Sequence, residues 1–173
     1  MIFVSVDIEA DGPIPGPYSM VSLGAVVVEP PFNDSFYCTI QPISGMFRPG
    51  VLSVTGFTRK ETMKFNPPEI EIPRFHAWLE DLKLRNNGQR PRFISDNNGF
   101  DWQFINWYLH SYTDGNPFGW SSHNLNDLYK GIKKDFKAKF KKYRITKHSH
   151  NALDDAKGNA EATHTILTKY GLI

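Results

Sequence analysis

The sequence predicts an α/β domain built on a mixed sheet. Two observations carry that prediction. The first 40 residues hold three short apolar, β-branched runs joined by short turns, a pattern that favours an antiparallel meander. From residue 70 onward, helical periodicity alternates with one more strand-like run, an order that packs helices onto a sheet.

Residues 2–9 form the first strand candidate. Residues 20–29 form the second, fed by the turn Gly-Pro-Ile-Pro-Gly-Pro at 12–17. Residues 35–40 form the third, after the turn Pro-Pro-Phe-Asn-Asp at 30–34. Ile72, Phe75, Leu79 and Leu82 recur at helical spacing and predict a helix over 70–84. Residues 92–95 are a fourth, short strand candidate. Phe100, Phe104, Trp107 and Tyr108 line one side of a helix over 100–110. Further helices are expected over 124–132, 135–143 and 153–170, the last closed by Gly171.

A chain of 173 residues suits one domain and buries a sizeable core without disulfides or structural zinc. Apolar residues make up 40% and charged residues 22%, which excludes a disordered or fibrous chain. No apolar run exceeds four residues, so no membrane span is expected. The first six residues carry no basic n-region and no small-residue cleavage site, so no secretory signal is expected. Cys38 is the lone cysteine, which rules out an intrachain disulfide and fits a reducing, cytoplasmic location. The net charge of +2 hides an asymmetry. Residues 130–147 hold nine basic residues and one acidic residue, leaving 11 basic and 17 acidic residues elsewhere. That separation suits a protein that meets a polyanion on one face and binds cations at another.

Three stretches carry candidate chemistry. Asp7 and Glu9 alternate on the first strand, so both carboxylates point to one face, roughly 6.6 Å apart along the chain. The rest of that strand is apolar, and two like charges there repel and lose hydration unless cations neutralise them. Alone, the pair also suits a solvated strand face. Residues 96–101 read Asp-Asn-Asn-Gly-Phe-Asp and join the fourth strand to a helix, at the sheet end where α/β proteins place their sites. Asp96 or Asp101 equally suits a helix cap there. The third stretch runs from His150 to Ala160. Two helical positions five apart diverge by roughly 140°, so His150 and Asp155 converge only if His150 precedes the helix. Asn151 as N-cap puts it there. Ala152, Ala156 and Ala160 then form a narrow face that lets the helix lie close to a neighbour. Together these residues supply four carboxylates suited to two hard cations, Mg²⁺ or Mn²⁺, and one imidazole able to accept a proton.

These residues resemble the DEDDh 3′–5′ exonucleases, the DnaQ-like family. Asp7-Ile-Glu9 matches its first motif, Asn97 with Phe100-Asp101 its second, and His150, Ala152, Asp155 and Ala156 its third. The resemblance spans residue 4 to about residue 167. Asn151 stands where the tyrosine subclass needs Tyr, so the histidine subclass fits better. Asp154 is the rival ligand, but its offset from His150 is one short of the family pattern.

The resemblance implies an RNase H-like α/β/α fold, a five-stranded mixed sheet flanked by helices, as one exonuclease domain over 1–173. It implies two divalent ions, Mg²⁺ or Mn²⁺, on Asp7, Glu9, Asp101 and Asp155, with His150 as general base. The implied reaction releases nucleoside monophosphates from the 3′ end of single-stranded nucleic acid. Substrate contacts are expected from Ala10, Phe57, Asn97, Trp102, Lys141 and Arg144. The turn after Glu9 reads Ala-Asp-Gly-Pro, where many members carry a Thr-rich turn, and Asp96 stands where many carry His. Small standalone members often pair, so a homodimer is one expectation. The short chain favours RNA, with a DNA exonuclease, a non-catalytic binding module and a carboxylate glycosidase as alternatives. The basic segment is expected either to track phosphates or to be the wet face of an amphipathic helix through Ile132, Phe136, Phe140 and Tyr143.

Overall fold

The computed structural model describes residues 2–173. Five strands lie in the spatial order β3-β2-β1-β4-β5. They are β1 (Phe3–Ala10), β2 (Met20–Val27), β3 (Ser35–Thr39), β4 (Arg92–Ser95) and β5 (Ser122–Asn124). The sheet is mixed as expected. β1 pairs antiparallel with β2, and β2 antiparallel with β3, so the first three strands form the meander. β4 and β5 add in parallel on the other side of β1. A parallel neighbour needs a crossover. The chain between β3 and β4 supplies it with short helices α1 (Pro49–Leu52) and α2 (Arg59–Thr62) and the long helix α3 (Pro68–Arg85). Helix α4 (Asn98–Tyr112) follows β4, α5 (Leu125–Lys133) follows β5, and α6 (Ala152–Lys169) comes last.

β1 alternates because its two faces meet different partners. Val4, Val6, Ile8 and Ala10 pack against Phe75 and Leu79 of α3 and Phe104 and Tyr108 of α4. The opposite face of the sheet meets α6. Ala156, Ala160 and Ile166 pack there with Val26, Ile94, Leu125 and Tyr129. Gly24 makes the close approach possible, since a Cβ on it would overlap the backbone of Ala152. The alanine face read from the sequence is fully buried, at 0% exposure for Ala152, Ala156 and Ala160.

Two expectations need correction. Residues 135–143 do not form a helix. α5 stops at Lys133, Lys134 takes a left-handed backbone (φ 52°), and one 3₁₀ turn at Lys141–Tyr143 follows later. A helix there would stack Lys133, Lys137 and Lys141 at successive i,i+4 positions, where like charges repel. Asp135 instead accepts the Lys137 amide through its carboxylate (2.8 Å), a local turn that competes with helix. Phe140 is buried but Phe136 is 93% exposed, so no amphipathic face runs through both. The second correction is β5, which sequence reasoning did not locate. Its Ser-His-Asn has no β-branched apolar residue, and it becomes a strand by pairing with β4, Ile94 opposite His123.

Candidate active site

Because β1 and β4 are parallel neighbours, their carboxyl ends reach the same edge of the sheet. Asp7 lies opposite Gly24 and Glu9 opposite Ser22, both on the face that α6 covers. Asp155 sits in the first turn of α6. Carboxylate oxygens of Asp7, Glu9 and Asp155 come within 4.8 Å of one another. Asp101, in the first turn of α4, is 2% exposed, and its Oδ2 has no hydrogen-bond partner among the described residues.

The electrostatics follow from this crowding. Burial raises the Asp7 carboxyl well above the usual range, and the charges of Asp101, Glu9, Asp96 and Asp155 raise it further. Asp101 is raised for the same reasons, burial first, with Asp96 and Glu9 adding to it. Glu9 is pushed up to about 7 by burial and by Asp155. An all-oxygen cluster of mutually repelling carboxylates, one with an unpartnered buried oxygen, fits hard divalent cations.

The start of α6 is built as the sequence suggested. The Asn151 side chain accepts the amides of Leu153 (3.0 Å) and Asp154 (3.2 Å). His150 precedes it in a left-handed conformation (φ 58°), and its amide donates to Asp155 Oδ2 at 3.0 Å. Asp154 is exposed and, among the described residues, accepts only from the Ser149 hydroxyl. Three roles here were missed from sequence, those of His148 and Glu161 and the pairing of Arg144 with Asp155. His148 Nδ1 lies 2.8 Å from Asp155 Oδ2, and its ring meets that of His150 edge-on at 4.2 Å. Arg144 Nη2 lies 2.7 Å from Asp155 Oδ1. Glu161 of α6 accepts the amides of Ile145 (2.8 Å) and Thr146 (2.7 Å) and the Thr146 hydroxyl (2.9 Å), tying residues 144–150 down beside the acids. Arg144 had one available signal: it is the single arginine in a lysine run, and a planar fork suits a carboxylate better than an ammonium does. Asp11 was also missed. Its buried carboxylate accepts the Ser19 amide (2.6 Å) and pairs with Arg59 (2.8 Å), which pins the turn after Glu9.

The expected substrate contacts scatter. Asn97 is exposed beside the site, where its carbonyl accepts the Phe100 and Asp101 amides. Phe57 is half-buried against Phe65. Trp102 is half-buried and packs edge-on against Phe93 at 5.0 Å, against the hydrophobic core. Ala10 is 2% exposed and belongs to the core, because the strand alternation puts it on the same face as Val4, Val6 and Ile8. Arg144 does not lie on a phosphate-tracking surface; 5% of its side chain is exposed, turned to Asp155. Lys141 is exposed at the start of the 3₁₀ turn.

Central acidic strand, mixed five-stranded sheet and closing helix together define a nuclease fold of the RNase H-like type. The chain belongs to the DEDDh-type 3′–5′ exonucleases, and it is a 3′–5′ exonuclease of nucleic acid. It is 35% identical over 179 residues to an Escherichia coli protein named 3′–5′ DNA exonuclease Cap18, across 95% of this chain and 91% of that protein. The nuclease domain of 3′hExo, described as a DEDDh family member bound to rAMP, superposes with a TM-score of 0.73 at 19% identity, covering 97% of this chain and 92% of that one. Cell-death related nuclease 4 superposes with a TM-score of 0.76 at 15% identity; 97% of this chain spans 64% of that one. No family model matches the sequence.

Proposed function

We propose that the chain, as one exonuclease domain, hydrolyses the terminal phosphodiester at a free 3′ end of single-stranded nucleic acid and releases nucleoside monophosphates. The observation that carries this reading is the approach of Asp7, Glu9 and Asp155 to within 4.8 Å, with Asp101 buried beside them. Asp7, Glu9, Asp101 and Asp155 would hold two divalent ions, Mg²⁺ or Mn²⁺. Bound there, such ions lower the pKa of water and stabilise charge on the transferring phosphate. His150 takes the proton from the attacking water, from a loop that its own amide fixes to Asp155. Asp155 in turn is oriented by the Ser149 amide at 3.1 Å and by Arg144. Asn97 and Lys141, which are exposed, and Phe57 and Trp102, which are half-buried, are the groups of the expected set that we keep as substrate contacts.

The preference for RNA rested on the shortness of the chain. That observation does not discriminate, since the relative named as a DNA exonuclease is matched over 91% of its own length. We therefore read DNA as the first substrate to test. No helix among the described residues is long and apolar enough to cross a membrane. The reading keeps the cytoplasm as the site of action.

The test uses 5′-labelled single-stranded DNA and RNA of one sequence, with Mg²⁺ or Mn²⁺, and with EDTA and Asp7→Ala as controls. A ladder shortening from the 3′ end, absent in both controls, is the expected result. Undiminished cleavage by a pure, folded Asp7→Ala protein overturns the assignment of the acids.

A further inference from the structure

The basic segment takes a shape that gives it a specific use. α5 ends at Lys133, Lys134 turns left-handed, and the Asp135 amide turns back to the Lys130 carbonyl at 3.1 Å. The Asp135 carboxylate and carbonyl then accept the amides of Lys137 and Ala138, so the chain makes a tight turn with Phe136 at its tip. Phe140, fully buried, anchors the far side. Phe136 is thus held out at 93% exposure, the highest of the large apolar side chains among the described residues. A groove of about 660 Å³ runs beside it, lined by Asn126, Lys130, Phe136, Lys137, Lys139 and Lys141. Among the described residues, Lys130 alone of these lysines has an acidic partner, Asp127 at 3.8 Å. The groove also adjoins Asp96, whose charge acts on Asp7 and Asp101. Asn126 donates to the Asp96 carbonyl at 2.8 Å, and the Asp96 carboxylate accepts from Asn159 of α6 at 3.1 Å.

We propose that this groove binds the single strand on the 5′ side of the cleaved nucleotide, with its lysines on successive phosphates and one base stacked on Phe136. The proposal rests on the exonuclease reading for the direction of the strand. Charge complementarity selects a polyanion, and an exposed ring beside a row of lysines selects one that also offers flat faces. Single-stranded nucleic acid has both features, whereas an acidic polypeptide supplies charge alone. A stacked base is tolerant of sequence, so the groove adds affinity without choosing a base.

The test measures binding of fluorescent oligothymidylates to the inactive Asp7→Ala chain, with and without Phe136→Ala. The probes are a dinucleotide and a strand of about ten nucleotides, within the span single-strand sites cover. Phe136→Ala is expected to weaken the longer strand about tenfold and leave the dinucleotide unchanged, while Phe136→Trp keeps wild-type affinity. One abasic position in the longer strand should reproduce the loss and add nothing to it in the Phe136→Ala chain. Replacing Lys137, Lys139 and Lys141 by alanine should lower the salt slope by about 2. Equal binding of the longer strand by both chains overturns the proposal. So does polyglutamate binding as tightly as the oligonucleotide, which would mark an acidic protein as the partner. Phe136-dependent binding by a wild-type chain that cleaves neither DNA nor RNA would uphold the groove and refute the exonuclease reading instead.

Discussion

Arg144 and Asp155 form an ion pair of 2.7 Å with 5% and 1% of their side chains exposed. Removing one partner of a buried pair leaves the other charge unsatisfied, which costs about 3 kcal/mol or more. Arg144→Met is therefore expected to lower metal-free stability by about 3 kcal/mol. Cations at the acid cluster should return part of that loss. Thermal melts with and without Mg²⁺ measure both effects; identical melts for the two chains would show that the pair contributes nothing.

The raised carboxyls give stability a definite slope with pH. Glu9 titrates near 7 in the fold against an ordinary 4.5, and Asp7 and Asp101 are also raised. The folded state thus holds protons that the unfolded chain has released. The stabilisation is complete below about 4.5 and is lost as pH rises through about 7. Metal-free protein should melt higher at the acid end of that window than at its neutral end. Glu9→Gln should flatten the curve, and saturating Mg²⁺ should reverse its sign. A flat profile for the metal-free wild type contradicts the crowding of these acids.

Two imidazoles stand close to Asp155, and they differ in how they are held. The His150 amide is tied to the carboxylate, while for His148 the ring itself makes the contact. His150→Ala is expected to lower kcat about a hundredfold or more, with metal binding retained. His148→Ala should cost less than about tenfold, since its ring only orients a carboxylate. Single-turnover rates and metal titrations of both variants decide the assignment. The opposite ranking would move the general base to His148.

Gly24 sets the distance between β2 and α6. A methyl group there meets the Ala152 backbone, which cannot move without lifting the start of α6. Gly24→Ala should destabilise the fold by about 2 kcal/mol through overpacking. It should also lower activity about a hundredfold, because Asp155 rides on that helix opposite Asp7. Retained activity would mean that α6 yields without shifting the acid.

The parts of the site that follow from local patterning were legible in the sequence. Asp7 and Glu9 stand out because charge interrupts an apolar strand, and Asn151 reveals the start of α6 because a cap is a local device. His150 fell before the helix for the same reason. What depended on tertiary context was not legible. Ser122-His-Asn124 forms a strand only against β4, and no pattern in the three residues announces it. The lysine run kept helical spacing in its aromatics, yet charge repulsion and the Asp135 turn prevailed over that spacing. Arg144 read as one more surface cation, and only the fold reveals that it faces Asp155.

The carboxylates come from distant stretches of chain, and the last of them belongs to α6. A ribosome that has made only residues 1–151 has produced all five strands but no Asp155, no capped helix and no cover over the acidic face of β1. On the proposed site, such a nascent chain is expected to be inactive. Activity is then expected to appear as one event, when the closing helix emerges and docks.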